Sequence, residues 1–259
     1  MSNTNSNFET RYFGDPYSDM DNEVIVKRLS RYRKKHLLRF LNSIKKNGVL
    51  LDIGCGKGKT IHLLRQIRPD IKIIATDVTN MSNYLPQGVD FHQISVDEIH
   101  TICAEDSFDA IISEHVIEHI VYPNKLFENS FKVLKKGGQL FIETPNWTRL
   151  FLPFSPLYFW NDYTHIHPYS PMALRRAFMD YGYEELYVKS VSSIEFGRRF
   201  LHTRIVDGAI KTGLPEITKI YKPKDSLLRK IFNAFLDLFV HPFSRDILIG
   251  VAKKPEHVG

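Results

Sequence analysis

The sequence predicts an α/β chain built as a doubly wound sheet with a nucleotide-binding crevice at its carboxyl edge. Three observations predict it. An apolar run, Val49-Leu50-Leu51-Asp52-Ile53, passes directly into Gly54-Cys55-Gly56-Lys57-Gly58, where alternate positions lack a Cβ. A second run, Ile71-Lys72-Ile73-Ile74-Ala75-Thr76, ends on Asp77, 25 residues after Asp52. Beyond it, short apolar runs keep alternating with stretches of helical spacing, as in a sheet covered by helices on both faces.

The elements follow in order. Residues 49–53 read as a buried strand, and glycine in the next turn lets the backbone take positive φ and lets a ligand lie against the main chain. Lys59-Thr60-Ile61-His62-Leu63-Leu64 has helical spacing, so the turn opens on a helix N-terminus. The dinucleotide fingerprint would need glycine at Lys59. The phosphate-loop pattern is also absent, because lysine already stands five positions after Gly54. Asp77 is placed either to accept from ribose hydroxyls or to cap a turn. Val89-Asp90-Phe91-His92-Gln93-Ile94 gives a third strand, Phe108-Asp109-Ala110-Ile111-Ile112-Ser113 a fourth, and residues 137–146 a fifth. A helix over residues 124–134 is expected to close on Lys135-Lys136-Gly137-Gly138, cations followed by a glycine stop.

Asp52, Gly54, Gly56 and Gly58 spell D-x-G-x-G-x-G, which resembles the first motif of the class I S-adenosylmethionine (SAM) methyltransferases. The strand spacing is similar to that family's from about residue 49 to 146. The resemblance implies SAM as cofactor, its methionine half against the glycine turn, its ribose on Asp77 and its adenine amine on Asp97. It gives a cofactor-binding set of Asp52, Gly54, Cys55, Gly56, Asp77, Val78, Asp97, Glu98 and Glu114. It also implies a seven-stranded Rossmann-like sheet, with a sixth strand near residues 184–191 and a last strand over 246–252 pairing antiparallel at the edge.

Bulk properties exclude other classes. With 259 residues and 43% hydrophobic content, the chain has length and core for one large domain with additions. Its two cysteines, Cys55 and Cys103, make no disulfide framework or zinc ribbon and suit a reducing cytoplasm. The polar first residues show no secretory signal, and no uncharged apolar stretch approaches the roughly 18 residues of a membrane span.

The expected organisation is a polar tail and basic helical lid at 1–47, the methyltransferase domain at 48–253, and a short tail at 254–259. Within the domain, residues 192–245 form a helical insert longer than a hairpin needs, suited to a substrate cover or an interface. A helix at 227–240 carries Leu228, Ile231, Phe232, Phe235 and Phe239 on one face. That face packs on its own domain, makes a homodimer contact, or docks at a membrane surface. The aromatic run 151–160 reads as a wall of the acceptor pocket or as a core-covering loop.

The net charge of +6 is concentrated in Lys27, Arg28, Arg31, Arg33, Lys34, Lys35 and Arg39, ahead of the first strand. This is either a solvated helix face or an attraction for an anionic partner, such as a phosphorylated or nucleotide-linked small molecule. No base-stacking aromatics are interleaved, so nucleic acid is the weaker partner.

The chemistry is expected just past the fourth strand, in Ser113-Glu114-His115-Val116-Ile117-Glu118-His119-Ile120. His115, Glu118 and His119 stand at i, i+3 and i+4, one face of a helical turn. A loop then brings His165 and His167 into the same cleft, ahead of a helix over 171–181 capped by Ser170. The Glu118-His119 pair with a later histidine loop after Thr144-Pro145-Asn146 resembles two metal-assisted groups. These are the ubiquinone-pathway O-methyltransferases, with E-x-x-E-H, and the small-RNA 2′-O-methyltransferases, which add a distant histidine. His115 takes the first glutamate's place and His165 the distant histidine's. The resemblance thus implies a metal set of His115, Glu118, His119 and His165, nitrogen-rich and better suited to Mn²⁺, Fe²⁺ or Zn²⁺ than to Mg²⁺. Alternatively, His119 and His165 act as metal-free bases, or the cluster is structural.

A hydroxyl acceptor must lose its proton during transfer, which a cluster of histidines favours over an amine. The expected function is methyl transfer from SAM to a small-molecule hydroxyl, of a sugar or of a bacterial glycan or metabolite precursor, with His119 and His165 catalytic. N-methylation of a small amine, RNA 2′-O-methylation, and a non-catalytic SAM-binding subunit remain the alternatives.

Overall fold

The computed structural model describes residues 34–147, 159–191 and 247–257. The part of the expected lid before Lys34, the aromatic run through residue 158 and the 192–245 segment with its expected helix lie outside the described residues. Helix α1 (Lys34–Ser43) leads into β1 (Val49–Ile53), α2 (Lys59–Ile67), β2 (Lys72–Asp77) and β3 (Asp90–Gln93). Then come α3 (Ile99–Ile102), β4 (Phe108–Glu114), α4 (Asn124–Val133) and β5 (Leu134–Pro145). The chain closes with α5 (Pro171–Asp180), β6 (Glu184–Val191) and β7 (Ile247–Lys253).

The strands form one 7-stranded sheet in the order β3-β2-β1-β4-β5-β7-β6. β1 to β5 run parallel, and β7 pairs antiparallel with both of its neighbours. Strands in such a sheet are covered on both faces, so they read as continuous apolar runs. Alternate residues serve opposite sides. Leu50, Ala110, Phe141 and Val251 pack with Leu37 and Leu41 of α1 and Ile61 and Leu64 of α2. Leu51, Ile111, Leu140 and Leu248 pack with Phe127 of α4 and Leu174 and Phe178 of α5. Strand order reverses between β1 and β4, and the crevice outside that switch point is where this architecture binds ligands.

One local expectation changes. Helix α4 stops at Val133, and Lys135 to Gly138 form the bulged start of β5, where the β4–β5 register shifts. Gly137, at φ +73°, donates its N–H to the Lys254 carbonyl at 2.9 Å. The cation in the last turn of α4 is Lys132. β7 is described over Ile247–Lys253, and Asp246, the expected first residue, lies outside the described residues. The Ser170 cap is as expected, its Oγ accepting from Ala173 N at 3.1 Å. Among the described residues, no helix is long and apolar enough to cross a membrane.

Helix α5 lies hard against β7. A Cβ on Gly250 would stand 2.6 Å from Leu174 Cδ2 and 2.9 Å from the Phe178 ring. Gly250→Ala should therefore cost about 1–3 kcal/mol through overpacking, read as a thermal midpoint several degrees lower. An unchanged midpoint would show that α5 can step away freely.

Candidate active site

The cofactor crevice starts at the turn after β1. Gly54, Gly56 and Gly58 all adopt positive φ, at +71°, +50° and +71°. Gly54 N and Cys55 N both donate to the Thr76 carbonyl, at 2.8 and 3.0 Å, which fixes the turn to the end of β2. A Cβ on Gly56 would meet nothing within 4 Å, so this part of the turn faces open space. Asp77 accepts from Gly56 N through Oδ2 and from Thr79 N through Oδ1, both at 2.9 Å. Each oxygen keeps a second lone pair for a ribose hydroxyl.

The other expected cofactor residues ring the same edge. Val78 follows Asp77 and is 70% exposed, an apolar surface beside the turn. Asp97 is exposed and its main-chain carbonyl accepts from Asn129 Nδ2 at 3.4 Å. Glu98 turns back to accept from Ser95 N at 3.1 Å, completing a capping box that shapes this loop. Glu114, at the tip of β4, accepts from Thr60 Oγ1 in the first turn of α2. Asp52 is buried on β1. Burial first, then the Asp52 and Asp77 carboxylates, push the Cys55 thiol far above its ordinary range. Cys55 is thus a small turn residue and no nucleophile.

The segment after β4 forms a single turn, closed by His119 N donating to the Val116 carbonyl at 2.9 Å. His115 opens it at φ +56°, a left-handed conformation that costs a non-glycine residue about 1–3 kcal/mol and collects at functional sites. That conformation separates His115 from His119, which a helical turn would have stacked. The His115 ring instead sits between two fully buried carboxylates. Its Nδ1 donates to Glu118 Oε1 at 3.2 Å, and its Nε2 stands 3.3 Å from Glu143 Oε1. Thr144 Oγ1 donates to the other oxygen of Glu118 at 2.9 Å. Tyr169 stays a protonated phenol, because burial and the nearby Glu118 charge raise it.

The histidine loop is clipped onto this turn. Ile166 N and His167 N both donate to the Glu118 carbonyl, at 2.9 and 3.1 Å. His165 is thereby brought beside His119, ring centroids 4.8 Å apart, while His167 Nε2 contacts the Val121 carbonyl at 3.2 Å instead. The hydrogen bonds fix the tautomers of the pair. Thr164 Oγ1 donates to Asp162 Oδ1 at 2.6 Å, so towards His119 it only accepts. His119 Nδ1 therefore carries the hydrogen and donates to Thr164 Oγ1 and the Thr164 carbonyl, at 3.0 and 3.2 Å. His165 Nδ1 donates to the Phe159 carbonyl at 2.8 Å. Both neutral rings are left with the lone pair on Nε2.

Among the described residues, Glu118, His119 and His165 bring one donor atom each within 4.8 Å of one another, and His115 does not join them. A buried carboxylate with two imidazoles whose opposite nitrogens are already hydrogen-bonded suits a borderline divalent ion. Sequence reasoning gave Glu143 and Thr164 no role and used Thr144 only as part of the Thr-Pro-Asn landmark. Glu143 and Thr144 had a signal, polar residues at the carboxyl end of an otherwise apolar run. Thr164 had none, since its role appears only when the loop docks.

The fold and the site together define a class I SAM-dependent methyltransferase. The family model described as a methyltransferase domain matches residues 25–188, more than half of the chain, and the chain belongs to that family. Human mitochondrial ubiquinone biosynthesis O-methyltransferase is 30% identical over 110 residues, 39% of this chain and 30% of the relative. The ubiquinone biosynthesis O-methyltransferase of Nitrosococcus oceani is 31% identical over 105 residues, 38% of this chain and 44% of the relative. Both matches span less than half of those proteins. A SAM-dependent methyltransferase from Archaeoglobus fulgidus superposes with a TM-score of 0.63 at 20% identity, covering 97% of this chain and 100% of that one. That likeness speaks for the fold. The cofactor belonging to this family is SAM.

Two expectations follow for the crevice. Asp77→Ala removes both the ribose acceptor and the anchor of Gly56 N, so SAM affinity by calorimetry should fall roughly 10- to 100-fold. Unchanged affinity would place the ribose elsewhere. Burial also raises the Cys103 thiol, to about 11, and Cys55 lies higher still. With thiolate scarce at pH 8, both cysteines of the folded protein should label slowly with a thiol reagent and quickly once denatured. Rapid labelling of the native protein would contradict this.

Proposed function

We propose that the protein transfers the methyl group of SAM to a hydroxyl oxygen of a small molecule, with the His119 and His165 pair receiving the hydroxyl proton. The observation that carries this reading is the pair itself, two adjacent imidazoles each with Nδ1 committed to a carbonyl and Nε2 free to accept. Asp162 Oδ2 stands 3.7 Å from His165 Nε2 and would stabilise the imidazolium that forms.

The transfer is an in-line displacement. An oxygen lone pair attacks the methyl carbon, the carbon–sulfur bond breaks, and its electron pair stays on sulfur in S-adenosylhomocysteine. Alignment of oxygen, carbon and sulfur supplies the larger share of the acceleration, up to about 7–11 kcal/mol. Removal of the proton adds a factor of roughly 10²–10⁴. The O-methyltransferase relatives support oxygen as the acceptor atom across the stretch they share with this chain. The acceptor class we assign is a hydroxylated metabolite or glycan precursor. As the alternative to that base role, a divalent ion such as Mn²⁺, Fe²⁺ or Zn²⁺, held by Glu118 and the Nε2 atoms of His119 and His165, would acidify the hydroxyl directly in place of the imidazoles.

The test is S-adenosylhomocysteine release from SAM across sugars, phenols, small amines and short RNAs, with and without chelator. Transfer to a hydroxyl is expected, with kcat lowered roughly 10²- to 10⁴-fold by His119→Ala and by His165→Ala at unchanged SAM affinity. Transfer that survives in both variants, or that goes only to amines, sinks the reading. Loss on chelation, restored by one divalent ion, assigns the metal.

A further inference from the structure

Three cations lie around the His36–Tyr187 ring pair, and among the described residues none of them is in an ion pair. Lys35 and Arg39 stand one turn apart on α1 and so share a helix face. Lys189 extends from near the carboxyl end of β6, its Nζ 5.5 Å from the centre of the Tyr187 ring. Buried His36 lies against the same ring, centroids 5.8 Å apart. Among the described residues, Lys35, Arg39 and Lys189 form no ion pair. By contrast Lys45, Lys125, Lys135, Arg175 and Lys254 each lie within 3.2 Å of a carboxylate oxygen. The field of the unpaired group is felt locally. His36 is lowered first by burial and then by Lys35, Lys189 and Arg39, against an opposing pull from Glu143.

The position of this cluster ties it to the active site. Glu143, Ile249 and Lys189 occupy one register row across β5, β7 and β6. Two strand spacings, about 10 Å, separate the first from the last. From Glu143 the row continues through His115 to Glu118, at 3.3 and 3.2 Å, and so to His119 and His165. Asn146 Nδ2 donates to Ser190 Oγ at 3.0 Å, which fixes the end of β6 to the same carboxyl edge.

We infer that Lys35, Arg39 and Lys189 form a subsite for a phosphate or diphosphate group carried by the methyl acceptor. The inference rests on the O-methyltransferase reading for its link to catalysis. Three cations around one ring pair match a group with two or more negative charges better than a single carboxylate. A nucleic acid strand would call for cations repeated along a track with stacking aromatics, whereas this charge forms one cluster. An acceptor bound here spans the edge of the sheet, its anion over β6 and its hydroxyl at the histidine pair.

Calorimetric titration of the full chain with inorganic pyrophosphate at fixed ionic strength tests the subsite without any turnover. One-site binding is expected, weakened on the order of tenfold by Arg39→Ala and by Lys189→Ala. Lys72→Ala, at the opposite edge of the sheet, should leave it unchanged, and all variants should bind SAM equally. Absence of pyrophosphate binding, or equal binding by the Arg39→Ala/Lys189→Ala double variant, overturns the inference. So does a short single-stranded RNA that binds more tightly than pyrophosphate and is lost in the same variants. Specific pyrophosphate binding without any hydroxyl methylation would keep the subsite and sink the O-methyl reading. Methylation without pyrophosphate binding would do the reverse.

Discussion

Val116 occupies the space that a Cβ on Gly54 would need. The ideal Cβ position is 2.3 Å from Val116 Cγ2, so the turn after β1 and the segment after β4 meet in direct backbone-to-side-chain contact. This contact sits at the point where strand order reverses, and it sets the distance between the two halves of the site. One half, the glycine turn with Asp77, is the face proposed for the donor. The other, from His115 to His119, carries His119, one of the two imidazoles proposed to take the proton. A side chain at position 54 would push them apart, and even small errors of alignment cost heavily in a displacement that depends on collinear atoms. Glycine is needed here for close approach as much as for its φ.

The carboxyl edge of the sheet is built at odds with stability. Glu118, Glu143, Thr144 and Asn146 are all fully buried, and buried polar groups are tolerated only when their partners are in place. Partners are there for Glu118, from His115 and Thr144, and for Asn146, from Ser190. The left-handed His115 adds backbone strain at the same place. A chain selected for stability alone would put apolar side chains at these positions, as it does nearby at Phe141 and Val251. Charge and strain concentrated in a crevice, on a scaffold otherwise apolar and regular, mark where binding and chemistry take precedence over the core.

Most of the fold was legible because its signals are local. β1, β2, β4 and the glycine turn announce themselves through apolar runs and residues without Cβ, and Ser170 through the proline that follows it. Lys135 to Gly138 misled because a glycine pair after cations has the same composition in a helix stop and in a strand bulge. Which one forms is decided by the Lys254 carbonyl, far away in sequence. His115 misled for a related reason. Spacing of i, i+4 places it beside His119 only if the intervening backbone is helical, and the left-handed residue after β4 breaks that premise. The tautomers of His119 and His165 were beyond the sequence altogether. They follow from the Asp162–Thr164 hydrogen bond and from a loop docked on the Glu118 carbonyl, both of them products of tertiary contact.

Charge is distributed along the edge in a way that suits a cationic donor and an anionic acceptor. Carboxylates lie at its centre, on Asp52, Asp77, Glu114 and Glu118, where the donor's positive sulfonium would sit. At one end, on α1 and β6, lie Lys35, Arg39 and Lys189, which form no ion pair among the described residues. Transfer of the methyl group turns the sulfonium into a neutral thioether, so the central carboxylates lose their electrostatic hold at the step that completes the reaction. In the reaction proposed above, the hydroxyl would give up its proton at the same moment to the imidazole pair, which would become cationic beside Asp162 and Glu118. Positive charge therefore passes from the sulfonium to the imidazole pair without leaving the carboxylate cluster. An edge that starts and ends the reaction with the same net charge has little solvation to rearrange, and that is the physical economy of placing acids between the two substrates.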